Sequence, residues 1–406
     1  MKALLLIFLL LFNYSFSQET VFELLNANQT GVEFNNIIED KKEHNILLYA
    51  NYYGGGGVGI ADFDNDGLQD LYFGGNLVAD KIYRNLGNFK FSDKTLSSGI
   101  NDNGSWSSGI TIADVNNDGL VDIYVSKELY DDKPELRRNK LYINKGDFTF
   151  EESSKKWGVD VSARTRHAVF FDYNNDGHLD LYLLNQPPNP GSYSKFFGSD
   201  LTLPEYSLQL FKNTGNNSFI DVTKEAGLNR TGFPNSVVAS DLNQDGYVDL
   251  YVANDFDAPD FLYYNNGDGT FSYETESSLK HTSFYSMGVD SADINNDGEL
   301  DIMVVDMTAE DNFRLKSNMS GMNPSSFWKV VENGGHFQYM FNSLQINNGD
   351  KTFSDVAQYT NTSSTDWSWA NLIADFDNDG LKDIYVTNGL LSCLLYTSPS
   401  PRDSDS

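Results

Sequence analysis

Six stretches of nine residues gather three or four carboxylates around a glycine, in the pattern D-x-[DN]-x-D-G-x-x-D. They begin at Asp62, Asp114, Asp172, Asp241, Asp293 and Asp375. Carboxylates held this close repel one another unless a cation sits among them. Calcium takes six to eight hard oxygen ligands at about 2.3–2.6 Å. Positions 1, 3, 5 and 9 of the pattern supply side-chain oxygens and position 7 a backbone carbonyl. The glycine at position 6 lets the chain turn sharply. The ligand sets expected are therefore Asp62, Asp64, Asp66, Leu68 and Asp70 in the first loop, and Asp114, Asn116, Asp118, Leu120 and Asp122 in the second. The third and fourth are Asp172, Asn174, Asp176, His178 and Asp180, then Asp241, Asn243, Asp245, Tyr247 and Asp249. The fifth and sixth are Asp293, Asn295, Asp297, Glu299 and Asp301, then Asp375, Asp377, Asp379, Leu381 and Asp383. Asparagine at position 3 keeps the oxygen and loses a charge, so the first and sixth loops are expected to bind best. Up to six structural calcium ions are implied, and no catalytic residue among them.

An EF-hand begins the same way but needs a bidentate glutamate at position 12, between two helices. Position 12 here is Phe73, Val125, Leu183, Val252, Val304 or Val386. Those are strand residues, and the EF-hand is excluded. Metal-free Asx turns would use similar residues, but six copies of such carboxylate density point to a cation.

The loops recur at spacings of 52, 58, 69, 52 and 82 residues. A period near 50 with short apolar strands indicates propeller blades. Each loop follows an apolar stretch such as GITIAD and precedes a strand such as IYVSK. A third strand, a tight Asn/Gly turn and a fourth strand follow, as in LYINKGDFTFEE. The predicted fold class is all-β: a β-propeller of four-stranded antiparallel blades, five complete and one partial. Residues 21–36 look like a fourth strand with its turn, able to close the ring by pairing with the far end.

Residues 1–17 read as a signal peptide: Lys2, ten apolar residues, then Ser15-Phe16-Ser17 as a small-x-small cleavage site. Residues 18–389 form the propeller, and 390–406 have no blade pattern and are expected to be non-native or disordered. Export follows, to the periplasm, the cell surface or the medium. No later segment is apolar enough to be transmembrane. The only cysteine is Cys393, so no internal disulfide can staple the loops. A formal charge of -30 excludes a general nucleic-acid binder.

The loops DFDNDGLQD and DINNDGELD, each leading into a strand such as LYF or IMV, resemble the FG-GAP (VCBS-type) repeats of integrin α-subunit propellers. Segments such as YYGGGGVGIADFDNDGLQDLYFGGN are similar to those of exported bacterial proteins related to cartilage acidic protein, which carry a further C-terminal ASPIC/UnbV domain. That resemblance implies a seven-bladed ring in the full-length protein, calcium between first and second strands, a C-terminal domain missing here, and adhesion or binding of proteins.

Alternation of strand direction puts the calcium loops on one face and the long second-to-third-strand connections, 186–207 and 307–342, on the other. Near that other end, about eight residues before each loop, stand Tyr53, Trp106, Arg164, Phe233, Tyr285 and Trp367. They are candidates for a ligand-binding ring around the channel, suited to a glycan or peptide. Ordinary packing between blades is the competing account. An enzyme is the alternative: Arg164, Arg166 and His167 with His281 and Tyr285 contain the residue types of a polysaccharide lyase or hydrolase. A passive scaffold for a missing domain is the third.

Overall fold

Each repeat becomes one antiparallel sheet, because most of its strands are joined by connections too short to reach elsewhere. The computed structural model describes residues 22–389, apart from 103, 188–205, 257 and 319–321. The signal segment, most of the proline-rich connection and residues 390–406 with Cys393 lie outside the described residues. Blade one consists of Val58–Ala61, Asp70–Phe73, Lys81–Asn85 and Phe91–Asp93. Blade two consists of Trp106–Ala113, Asp122–Glu128, Lys140–Asn144 and Phe150–Glu152. Blades three, four and five begin with Thr165–Phe171, Pro234–Ser240 and Gly288–Ala292. All five sheets keep sequence order from first to fourth strand. The all-β propeller is thus present as six blades, five of them complete.

Blade six has the long strands Asp366–Ala374 and Asp383–Asn388. It also borrows a strand that the sequence pattern did not reveal. Met307–Thr308, from the long connection of blade five, pairs with Trp367 and Asp366.

The core lies between blades. Phe63 and Tyr72 of blade one pack with Ile123, Val125 and Phe150 of blade two. Tyr124 and Leu141 pack in the same way with Leu181 and Phe211 of blade three. The second strands of blades two to five are therefore buried on both faces, as Asp122–Glu128 is along its whole length. Blade six packs on blade five through Ile373, Ile384 and Val386, but among the described residues no blade covers its far side: Leu372 and Tyr385 are exposed, as are Val58 and Ile60 of blade one.

Residues 22–57 contain no strand, so the expected closure by strand pairing is not what the structure shows. Phe22 instead meets the rings of Phe376 and Tyr385 edge-on, at 5.8 and 5.7 Å. A helical turn, Ala27–Thr30, follows and ends at Gly31 with φ +81°. A Cβ on Gly31 would sit 2.6 Å from the Phe91 carbonyl oxygen. The turn after blade one ends alike, with Gly99 against Phe150. The turn read from the sequence is present, and ring packing replaces the ladder.

Candidate metal loops and the central cavity

Each acidic loop is shaped by its own hydrogen bonds. In loop one, Asp62 Oδ1 and Oδ2 accept the N–H groups of Asp66 and Gly67, at 3.0 and 2.7 Å. Asp66 Oδ1 accepts that of Leu68 at 2.9 Å. The same pattern recurs in loop six at Asp375 and Asp379. Position 4 takes the left-handed region throughout, from Asn65 at φ +56° to Asn378 at φ +61°.

Position 9 does a second task. Asp70 accepts the N–H of Phe63 with Oδ2 and that of Asn85 with Oδ1, at 2.9 and 2.7 Å. Asp122, Asp180, Asp249 and Asp301 make the equivalent pair. These five are buried. Burial, the largest cause, pushes Asp70 up to about 6 and Asp122, Asp180 and Asp249 up to about 7.

In loop one, oxygens of Asp62, Asp64 and Asp70 lie within 4.8 Å of one another; in loop six those of Asp375, Asp377 and Asp383 do. Asp64 Oδ1 is shielded from solvent and has no hydrogen-bond partner. An orphaned buried carboxylate oxygen is what a cation would satisfy, so these residues fit calcium. The asparagine loops differ. The amides of Asn116 and Asn295 donate to Asp118 and Asp297, at 2.8 and 2.7 Å. A neutral donor there faces the carboxylate that a cation would bridge.

Two side chains that the sequence reading missed reach into loops. Arg84, in the third strand of blade one, contacts Asp64 at 2.5 Å and Asp66 at 3.1 Å. Lys212, at the same place in blade three, contacts Asp176 at 3.2 Å.

Also missed were the amides that join the loops to one another. Asn65, Asn117, Asn175 and Gln244 donate to the carbonyls of Gly119, Gly177, Gly246 and Gly298, each in the next blade. Behind them, Asn144 donates both to Val121 of its own loop and to Phe63 of the preceding one, at 3.1 and 2.8 Å. Asn213, Asn265 and Asn347 repeat this clip. The recurring N-x-G at the end of each third strand was the available signal.

At the far end of the first strands lies a cavity of about 600 Å³. Ser108, Arg166, Asn235, Met287 and Trp369 line it, each six residues before its loop. The residues expected from the sequence stand two places earlier, or three in blade one, and of these only Tyr53 lines the cavity. Trp106 is buried, stacked on Tyr52 at 5.3 Å. Phe233 is buried against Phe256. Arg164 is buried and paired with Asp131. Trp367 sits in the short ladder with Met307, and Tyr285 lines a different cavity. In blades two, three, four and six the reason is a β-bulge at the start of the first strand, between Ser107 and Gly109, Thr165 and His167, Pro234 and Ser236, and Ser368 and Ala370. One extra residue reverses which face the side chains occupy.

The candidate lyase residues are not gathered in one place. Arg166 and His167 line the central cavity, whereas His281 is held by Asp355 at 2.8 Å and packs on Tyr339. Burial, then Arg166, pushes His167 down to about 4. Arg166 donates to the Gly54 carbonyl at 3.1 Å and stands 3.6 Å from buried Glu128. A Cβ on Gly54 would fall 2.5 Å from its guanidinium. Among the described residues no helix is long and apolar enough to cross a membrane.

The family model of the FG-GAP-like repeat matches residues 45–125, 132–183, 200–252, 241–304 and 330–386. Human cartilage acidic protein 1 is 22% identical over 379 residues, covering 82% of this chain and 56% of the relative. The mouse protein of that name is also 22% identical over 379 residues, with 82% and 57% covered. The chain spans about half the length of the curated relatives it matches. Among solved structures, an Agrocybe aegerita lectin, described by its recognition of non-reducing terminal N-acetylglucosamine, is similar with a TM-score of 0.46. It is 18% identical, with 80% of this chain and 73% of the lectin covered. A Bacillus licheniformis rhamnogalacturonan lyase has a TM-score of 0.40 and 11% identity, with 81% and 54% covered.

Proposed function

This chain belongs to the FG-GAP-like repeat family, and on that premise we propose that it is an exported, calcium-loaded propeller acting as a binding module for a protein or a glycan. The observation that carries the metal reading is the convergence of three carboxylates within 4.8 Å at loops one and six, together with the orphaned oxygen of Asp64. The calcium is structural. It would hold each loop in the shape that presents its amide to the next blade, so the ring is tied on that face by metal and hydrogen bonds together.

The binding reading is supported by the central cavity at the opposite end. One cation, Arg166, and two aromatic rings, Tyr53 and Trp369, stand on its wall. Separation of Arg166 and His167 from His281 favours binding over lyase chemistry.

Melting the purified chain in millimolar calcium and again in chelator tests the metal. Several filled sites are expected to raise the melting temperature by about 10 °C or more, and an unchanged melt would remove the calcium assignment. Binding is tested by screening immobilised glycans and matrix proteins with the calcium-loaded chain. Arg166→Ala is expected to abolish any signal obtained; retention of that signal would exclude the central cavity.

A further inference from the structure

Residues within 322–340, in the connection between the second and third strands of blade five, line a second, smaller cavity of about 210 Å³ together with Phe284 and Tyr285. Its floor is fixed by a parallel pairing of Thr282–Ser283 with Gln338–Tyr339. Gln338 anchors that floor by donating its amide to the carbonyls of Phe256 and Ala258, at 3.1 and 2.9 Å. A helix, Pro324–Glu332, forms the roof. Its first turn is capped by the side chain of Asn323, which accepts the N–H groups of Ser325 and Ser326. From this helix Phe327 reaches the cavity and stacks on Tyr339 at 5.6 Å.

The wall is aromatic and thioether: Phe284, Tyr285, Phe327, Met322 and Met340. Methionine sulfur and ring edges both favour contact with an aromatic guest. Asn323, Ser326 and Gln338 also line the cavity, with the Asn323 oxygen and the Gln338 amide already engaged by backbone groups; one further polar side chain differs. His336 lines the cavity, and its Nε2 is shielded from solvent without a hydrogen-bond partner. Burial disfavours the charged form of this imidazole. A buried polar atom left unpaired is costly, and a ligand able to pair it gains accordingly.

Size and chemistry together select the guest. An apolar cavity of about 150 Å³ takes one benzene ring, so this one takes a ring with a substituent. A neutral imidazole nitrogen is either a donor or an acceptor, depending on tautomer. A phenolic hydroxyl can serve in either role. We infer that the cavity under the helix Pro324–Glu332 is a binding site for a single phenol ring, either a free phenolic compound or the side chain of a tyrosine in a partner. It is separate from the central cavity and does not depend on the calcium assignment.

The test uses p-cresol and toluene, which differ by the hydroxyl, with the whole chain and ligand-observed NMR titration. p-Cresol is expected to bind about fivefold to tenfold more tightly than toluene, the ratio one net hydrogen bond provides. His336→Phe is expected to erase that preference while the melt stays within a few degrees. Val330→Trp, which fills the cavity from the helix, is expected to abolish both signals. N-acetyl-tyrosinamide distinguishes the sources: binding comparable with p-cresol identifies a tyrosine side chain, and exclusion identifies a free phenol. Absence of p-cresol binding, or an unchanged preference in a folded His336→Phe variant, overturns the inference. A calcium-independent melt with p-cresol binding intact would defeat the metal reading alone.

Discussion

Loops one and six carry the same residues at every metal-facing position, yet they stand in different surroundings. In loop one, Asp70 is buried and both its oxygens are taken by backbone N–H groups, one from the third strand. In loop six, Asp383 keeps only the bond to Phe376 among the described residues and is exposed. Arg84 adds its guanidinium to Asp64 and Asp66 in loop one. No arginine or lysine is paired with loop six among the described residues. The difference teaches that an identical ligand pattern does not fix an identical site. The third strand decides how much of the negative charge is already answered and how rigidly position 9 is held.

The largest break in the comparison comes from position 9. Asp70→Ala in chelator leaves the Phe63 and Asn85 N–H groups without their acceptor, and is expected to cost about 3 kcal/mol in urea unfolding. Asp383→Ala is expected to cost less than about 1 kcal/mol, since water reaches the freed group. Equal losses would show that the third strand contributes nothing to the loop.

A pH series sharpens the same point about burial. Burial pushes Asp255 up to about 8 and Asp260 and Asp306 up to about 7, far from the loops. With raised acids the folded chain holds protons that the unfolded chain, near 3.8, has released. Stability therefore rises as pH falls from about 8 toward 4 and declines in the other direction. In chelator, the buried loop aspartates Asp122, Asp180 and Asp249 act with the same sign. The melting temperature is expected to climb by several degrees between pH 8 and pH 5. A fall over that range would contradict the burial account.

Arg84→Gln tests the charge term. Removing the guanidinium is expected to raise calcium affinity at loop one by about tenfold, roughly the effect of one nearby charge at partial exposure. Terbium luminescence from loop one should strengthen while loop six is unchanged. If loop one does not respond, Arg84 is a bystander, and the ranking expected from carboxylate number alone stands.

The smallest effect concerns the links between loops. Asn65→Ala removes an exposed hydrogen bond to Gly119 and is expected to cost about 0.5–1 kcal/mol. Asn378→Ala carries only the strain of alanine in the left-handed region that both substitutions share, and is expected to cost less by that amount, because Asn378 makes no such link to another loop among the described residues. A loss at Asn378 equal to that at Asn65 would show that the bond is not what matters there.

The sequence alone determined the local chemistry. The acidic loops, the four-strand order of each complete blade and the turn before Gly31 were legible because each depends on neighbours in the chain: a glycine where the chain must turn, alternating apolar residues where a strand must pack. Tertiary structure decided which side chains share a space. The bulges at Arg166 and near Ser368 moved the cavity ring from Arg164 to Arg166 and from Trp367 to Trp369, because face parity is set by pairing with a second strand. Met307–Thr308 joined blade six only because its partner strand lies next to it in the fold. Arg84 met Asp64 from about twenty residues away, across one sheet, where no spacing rule for the loop extends. Nε2 of His336 lost its solvent and gained no partner through the fold of a long connection. Such contacts depend on the packing of distant segments, and the local pattern is silent about them.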